Sequence, residues 1–339
     1  MYLYKFYSLK INTSKALLFT VTLLNALAAF SQQPDVLLSF IKVVKPGATL
    51  VKLPQQFAFA EGPAVNKAGD IYFTDQPNDK IWKYDLNGKL SVFMDKTGRA
   101  NGLYFDKQQR IIACADEQNE LRAITLKKKV TVLLSNFEGQ KLNGPNDLWV
   151  DKKGGIYFTD PYYQRDYWQR KKPDMKGCYV YYLPKGKSKA VIVDSLLVQP
   201  NGIVGKADGS TLYVADINDN KTYRYQISAD GSLTNRQLFA AQGSDGMTID
   251  KEGNIYLAGV GVTVYNAQGI KLGNIPVSSK WVGNLCFGGR RRNLLLITAS
   301  ESVYTLQMAV QGEEWVSNNL NLIFYLIYRI EKLIISTFH

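Results

Sequence analysis

Ile71–Asp75 reads IYFTD, and the same five residues return at Ile156–Asp160. Close variants stand between and beyond them: IIACAD at Ile111–Asp116, LYVAD at Leu212–Asp216, IYLAG at Ile255–Gly259 and LLITA at Leu295–Ala299. Counted between the anchors Tyr72, Ile112, Tyr157, Tyr213, Tyr256 and Leu295, the intervals are 40, 45, 56, 43 and 39 residues. Several runs are followed by a second alternating one, such as IWKYD, TYRYQ, TVYNA or VYTLQ. Short, evenly spaced strands without helical periodicity between them predict an all-β repeat array. A period near 40–45 residues with about four strands per unit is the spacing of propeller blades. The expected fold is therefore all-β, a six-bladed β-propeller over residues 40–312. An unpaired last blade would expose a sheet edge. The free strand Thr49–Leu53 (TLVKL) is expected to close the ring as the outer strand of the sixth blade.

A polar position keeps register with this repeat. Ahead of each anchor strand stands an acid or amide: Glu61 (EGPAV), Asn101 (NGLYF), Asn146 (NDLWV), Asn201 (NGIVG), Asp245 (DGMTI) and Asn284 (NLCFG). The distance to the anchor strand's first residue is ten for Glu61, Asn101, Asn146 and Asp245, and eleven for Asn201 and Asn284. Equivalent positions in six blades lie on one ring about the axis, so all six side chains are expected to face one mouth of the channel. Carboxylates and amide oxygens together suit a hard cation, Ca2+ above all, and are poor ligands for zinc or copper. Asn-Gly and Asp-Gly also serve as turn residues, which explains the glycines but not an oxygen donor in every blade.

Composition narrows the chemistry further. The chain has 339 residues and a single histidine, His339, at its last position. A Ser-His-Asp triad, a Cys-His dyad and a His-ligated zinc are thereby excluded. The net charge is +12, and residues 1–31 contribute Lys5, Lys10 and Lys15 with no acid, leaving +9 for the remainder. That excess is spread along the chain and forms no basic stripe, so no nucleic-acid partner is expected.

The N-terminus reads as an export signal: lysines, then the apolar run Ala16–Phe30, with Ala29 and Ser31 small at −3 and −1 before Gln32. An uncleaved anchor is the alternative. A periplasmic or secreted setting follows. Three cysteines, Cys114, Cys178 and Cys286, permit at most one disulfide and suit small apolar strand positions. Residues 313–339 form an atypical tail, apolar but broken by Arg329, Glu331 and Lys332. It reads equally as an amphipathic helix on a membrane or partner and as an extension with no selected role.

The segments AEGP, LNGPNDLWVD, QPNGI, SDGMTID and CFGG, in this order, resemble the gluconolactonase/regucalcin family of six-bladed propellers over about residues 45–308. The resemblance implies a divalent cation, usually Ca2+, on the axis, held by Glu61, Asn201 and Asp245. It gives Asn146 the role of ligand or of substrate contact. The regucalcin branch carries an arginine where this chain has Gly144. Arg99 and Asn101 are candidates to contact substrate in its place.

The chemistry expected is calcium-dependent hydrolysis of a small-molecule sugar lactone or related ester, with Asp245 as general base or as ligand alone. The insertion Pro161–Gly177 (PYYQRDYWQRKKPDMKG) accounts for the 56-residue interval. It reads as a lid carrying a substrate contact, Tyr162, or as a solvated loop packed on a neighbouring blade. A non-catalytic propeller with a structural ion and a sugar-acid lyase or isomerase are the competing function classes.

Overall fold

The structure is a computed structural model that describes residues 42–313. The export signal expected over residues 1–31 and all but the first residue of the 313–339 tail lie outside the described residues. Within them, 24 strands form six four-stranded antiparallel sheets. The six inner strands are Ala60–Val65, Ala100–Phe105, Leu148–Val150, Pro200–Gly205, Met247–Ile249 and Asn284–Gly288. Each touches the inner strands of the two flanking blades, and the last touches the first, so they encircle one axis. The chain is the six-bladed propeller that its repeat predicts.

The anchor strands are second from the axis and lie between two neighbouring blades. Ile71–Asp75 and Ile156–Asp160 are buried at every residue, which is why they read as apolar runs and not as strict alternation. The hairpins that precede them share one device. Asn66, Asp106, Asp151 and Asp250 each turn a side-chain oxygen back onto the amide four residues ahead. This Asx turn explains the recurring VNKAGD, FDKQQR, VDKKGG and IDKEGN.

Six apolar clusters among the described residues fill the six seams between blades. The closing seam unites Leu53 and Phe57 with Phe73 of the first blade and Leu296 and Val303 of the sixth. Val51–Lys52 pairs with Ser302–Gln307, so that the sixth blade takes its outer strand from the N-terminal side. Leu53 continues the pairing through its amide, 2.8 Å from the Val303 carbonyl. Leu53→Ala is expected to cost about 2 kcal/mol, the lower end for a buried leucine because the closing strand is short and lies at an edge. Thermal unfolding checks this, and an unchanged melting temperature would mean that the strand contributes nothing to closure.

Candidate functional site

The inner strands bring two stacked layers of residues to the axis. Asn146, Asp245 and Gly283 occupy one level: their amides donate to Thr159, Ala258 and Thr298 carbonyls at 2.9, 3.3 and 2.9 Å. Glu61, Asn101 and Asn201 stand at equivalent positions in the first, second and fourth blades, where the pairing slips: Glu61 is the last paired residue before the slip, and Asn101 and Asn201 lie within it. Five of the six expected positions therefore share the upper layer, and Asn284 does not.

Asn284 belongs one level deeper, with Asp147. The Asn284 amide meets Thr298 Oγ1 at 3.0 Å, and its Oδ1 accepts the Leu285 amide at 2.8 Å. Asp147 repeats both contacts, with Thr159 Oγ1 at 3.2 Å and the Leu148 amide at 2.9 Å. The offset arises because the sixth hairpin runs one pair further, with Gly288 opposite Leu294. That extra pair moves the upper-layer position to a glycine. The remaining lower-layer residues are Gly62, Gly102, Gly202 and Gly246. At Gly246 an added Cβ would fall 1.9 Å from the Asn284 side chain, and at Gly202 2.2 Å from the Asp245 carbonyl. Asn284 Nδ2 reaches Asp147 Oδ2 at 3.3 Å between the third and sixth blades, on opposite sides of the ring, and floors the mouth. Beyond this floor the channel widens into a cavity of about 490 Å3 that none of Glu61, Asn201 or Asp245 lines.

Above the floor, negative charge is concentrated and poorly solvated. Glu61 is buried, with Oε2 on the Gly62 amide at 2.9 Å. Its other oxygen lies where a Cβ at Gly283 would approach to 2.7 Å, so the glycine of the sixth blade makes room for it. Burial first, then the charges of Asp245 and Asp147, raise the Glu61 carboxyl well above the usual range. Burial likewise pushes Asp245 up to about 6, although Trp281 and Asn201 hold it down as donors. Trp281 Nε1 donates to Asp245 Oδ2 at 2.6 Å. Burial raises Asp147 to about 7 against the Leu148 amide and Asn284.

Asn201 supplies the missing kind of atom. Its Nδ2 donates to Tyr163 Oη at 3.0 Å, while its buried Oδ1 has no hydrogen-bond partner. An orphaned amide oxygen beside two under-solvated carboxylates fits a hard cation, whose charge would relieve all three. Glu61, Asn201 and Asp245 would hold it, with Asn146 on the same layer. No group of three or more His, Cys, Asp or Glu suited to a metal exists among the described residues. The amide and water would have to complete the shell.

The insertion Pro161–Gly177 lies over this mouth, anchored to the second blade. Buried Asp116 accepts Arg165 Nε at 2.6 Å and Tyr167 Oη at 2.8 Å through one oxygen, and its carbonyl accepts Trp168 Nε1 at 3.0 Å. At Gly144 an added Cβ would stand 2.7 Å from Asp116 Oδ1 and 3.0 Å from the Trp168 ring, so these two residues fill the space a side chain there would need. Arg99 donates to the Pro77 carbonyl at 2.8 Å and lies 4.4 Å over the Tyr167 ring. The Tyr162 hydroxyl is engaged by Gln164 Oε1 at 2.6 Å. Tyr163, its neighbour, is the tyrosine joined to the ring. Asp147, Tyr163, Trp281 and Asp116 were missed as site residues by the sequence reading. Only Asp147 had a visible signal, an acid following the ring residue where four other blades have glycine.

Residues 59–301 match the family described as the SMP-30/Gluconolactonase/LRE-like region. A gluconolactonase of Zymomonas mobilis is 27% identical over 287 residues, 75% of this chain and 80% of that protein. Lactonase drp35 of Staphylococcus haemolyticus is 26% identical over 304 residues, 78% of this chain and 88% of that one. A solved gluconolactonase of Xanthomonas campestris superposes with a TM-score of 0.74 at 27% identity, covering 80% of this chain and 92% of its own.

Proposed function

The chain belongs to the SMP-30/gluconolactonase/LRE-like family, and on that premise we propose that it hydrolyses a sugar lactone or related ester with the aid of a divalent cation, Ca2+ by preference. One observation carries the reading: Glu61, Asp245 and the orphaned Asn201 Oδ1 converge at a buried channel mouth. The gluconolactonase and lactonase relatives supply the substrate class. Bound there, the cation supplies Lewis acidity that favours negative charge developing on the substrate carbonyl.

The protein's own groups do the rest. Asp245 takes a proton from the water that attacks the carbonyl carbon and returns it to the ring oxygen as the lactone C–O bond breaks, its carboxylate held by the Trp281 indole. Glu61 remains a charged ligand. Asn146 and Asn101 offer amides to substrate hydroxyls from the same layer, and the 161–177 insertion limits water access from above. The signal-like N-terminus supports action in the periplasm or outside the cell.

Acid release from D-glucono-1,5-lactone and related lactones tests the proposal directly. Chelation with EDTA is expected to lower the rate by at least about a hundredfold, the scale of a lost oxyanion stabiliser, and added Ca2+ to restore it. Turnover that ignores EDTA, or no lactone turned over at all, would refute it.

A further inference from the structure

Tyr163 is half-buried on the insertion and reaches the ring from above. Its oxygen accepts the Asn201 amide at 3.0 Å, and the charges that act on it include those of Asp245, Arg165 and Glu61. Accepting leaves the phenol's own proton to be donated, and none of the hydrogen bonds found among the described residues uses it. The ring is held in place. Arg165 lies 5.6 Å over its face while donating to Asp116, Trp168 is buried against the Asp116 carbonyl, and the Tyr162 carbonyl accepts Gln199 Nε2 at 3.4 Å. Both sides of Tyr163 are thus tied down, one to the second blade and one to the fourth.

We infer that Tyr163 contacts the substrate directly, donating its hydroxyl proton as a hydrogen bond to an oxygen of the bound lactone. This rests on the hydrolase reading above. A group bound over Glu61, Asn201 and Asp245 has to lie beneath this hydroxyl, because the Asn201 amide that faces the mouth is already joined to it. A half-buried phenol with an unused donor rewards a substrate that offers an acceptor there and penalises one that covers it without an acceptor. The substrates favoured are therefore oxygen-rich at that position, as polyhydroxy lactones are, while an aliphatic lactone leaves the donor unpaired.

Tyr163→Phe removes the oxygen alone and leaves the ring under Arg165. With D-glucono-1,5-lactone at saturating Ca2+, kcat/KM is expected to fall about tenfold, with calorimetric Ca2+ affinity within about twofold of wild type. Unchanged kcat/KM overturns the contact. A loss that follows a fall in Ca2+ affinity and disappears at higher Ca2+ also overturns it, since Tyr163 would then act only through Asn201. If the wild type turns over no lactone, the hydrolase reading fails by itself, and binding of the unreactive cyclic polyol 1,5-anhydro-D-glucitol decides the contact. Weaker binding to Tyr163→Phe supports it, and equal binding overturns it.

Discussion

Asp245→Asn is expected to lower kcat by at least about a hundredfold at saturating Ca2+, the scale of a lost general base. The substitution keeps the size of the side chain and an oxygen that can accept Trp281 Nε1, now 2.6 Å from Asp245. It removes the negative charge and the basicity together. Cation affinity should fall as well, because Glu61 would remain the sole charged ligand, so turnover has to be compared at saturation. The blades should stay folded, since Asp245 lies outside all six apolar seams. A variant that binds Ca2+ and retains full kcat would remove Asp245 from the chemistry and leave it a ligand.

Gly62→Ala is expected to destabilise the fold by about 4 kcal/mol. Gly62 has φ +34°, and a Cβ there would lie 2.0 Å from the Asn101 carbonyl oxygen and 2.6 Å from the Gly102 Cα. Both obstacles are backbone of the neighbouring blade, so no side chain can swing away. Overpacking of this kind costs about 1–3 kcal/mol or more, and the left-handed conformation adds about 1–2 kcal/mol. Gly186→Ala is the matching control: φ is +71° with nothing within 4 Å of the added carbon, so only the conformational part remains. Urea midpoints of the two variants separate the effects. Equal losses would show that close approach at the axis is not what selects glycine at Gly62.

The blade count, the closing strand and five of the six ring positions were legible because they repeat. IYFTD and its variants mark strands buried between blades, and Glu61, Asn101, Asn146, Asn201 and Asp245 keep a near-constant distance from them. Spacing failed at Asn284, where a single extra hairpin pair shifts the count without leaving a mark in composition. The insertion could be found by its length, but not the aim of its side chains. Tyr162 and Tyr163 are neighbours of identical type, and which one reaches Asn201 depends on how Arg165, Tyr167 and Trp168 settle on Asp116. The orphaned oxygen of the Asn201 amide is likewise a property of three dimensions. No string of letters distinguishes it from the neighbouring amide positions.

The Asp147–Asn284 contact has a consequence for traffic. Because it joins opposite blades across the axis, the mouth above it is a cul-de-sac and not a conduit. Whatever reaches Glu61, Asn201 and Asp245 enters past the 161–177 insertion and departs by the same doorway. Entry and exit thus share one path, and release needs no second opening.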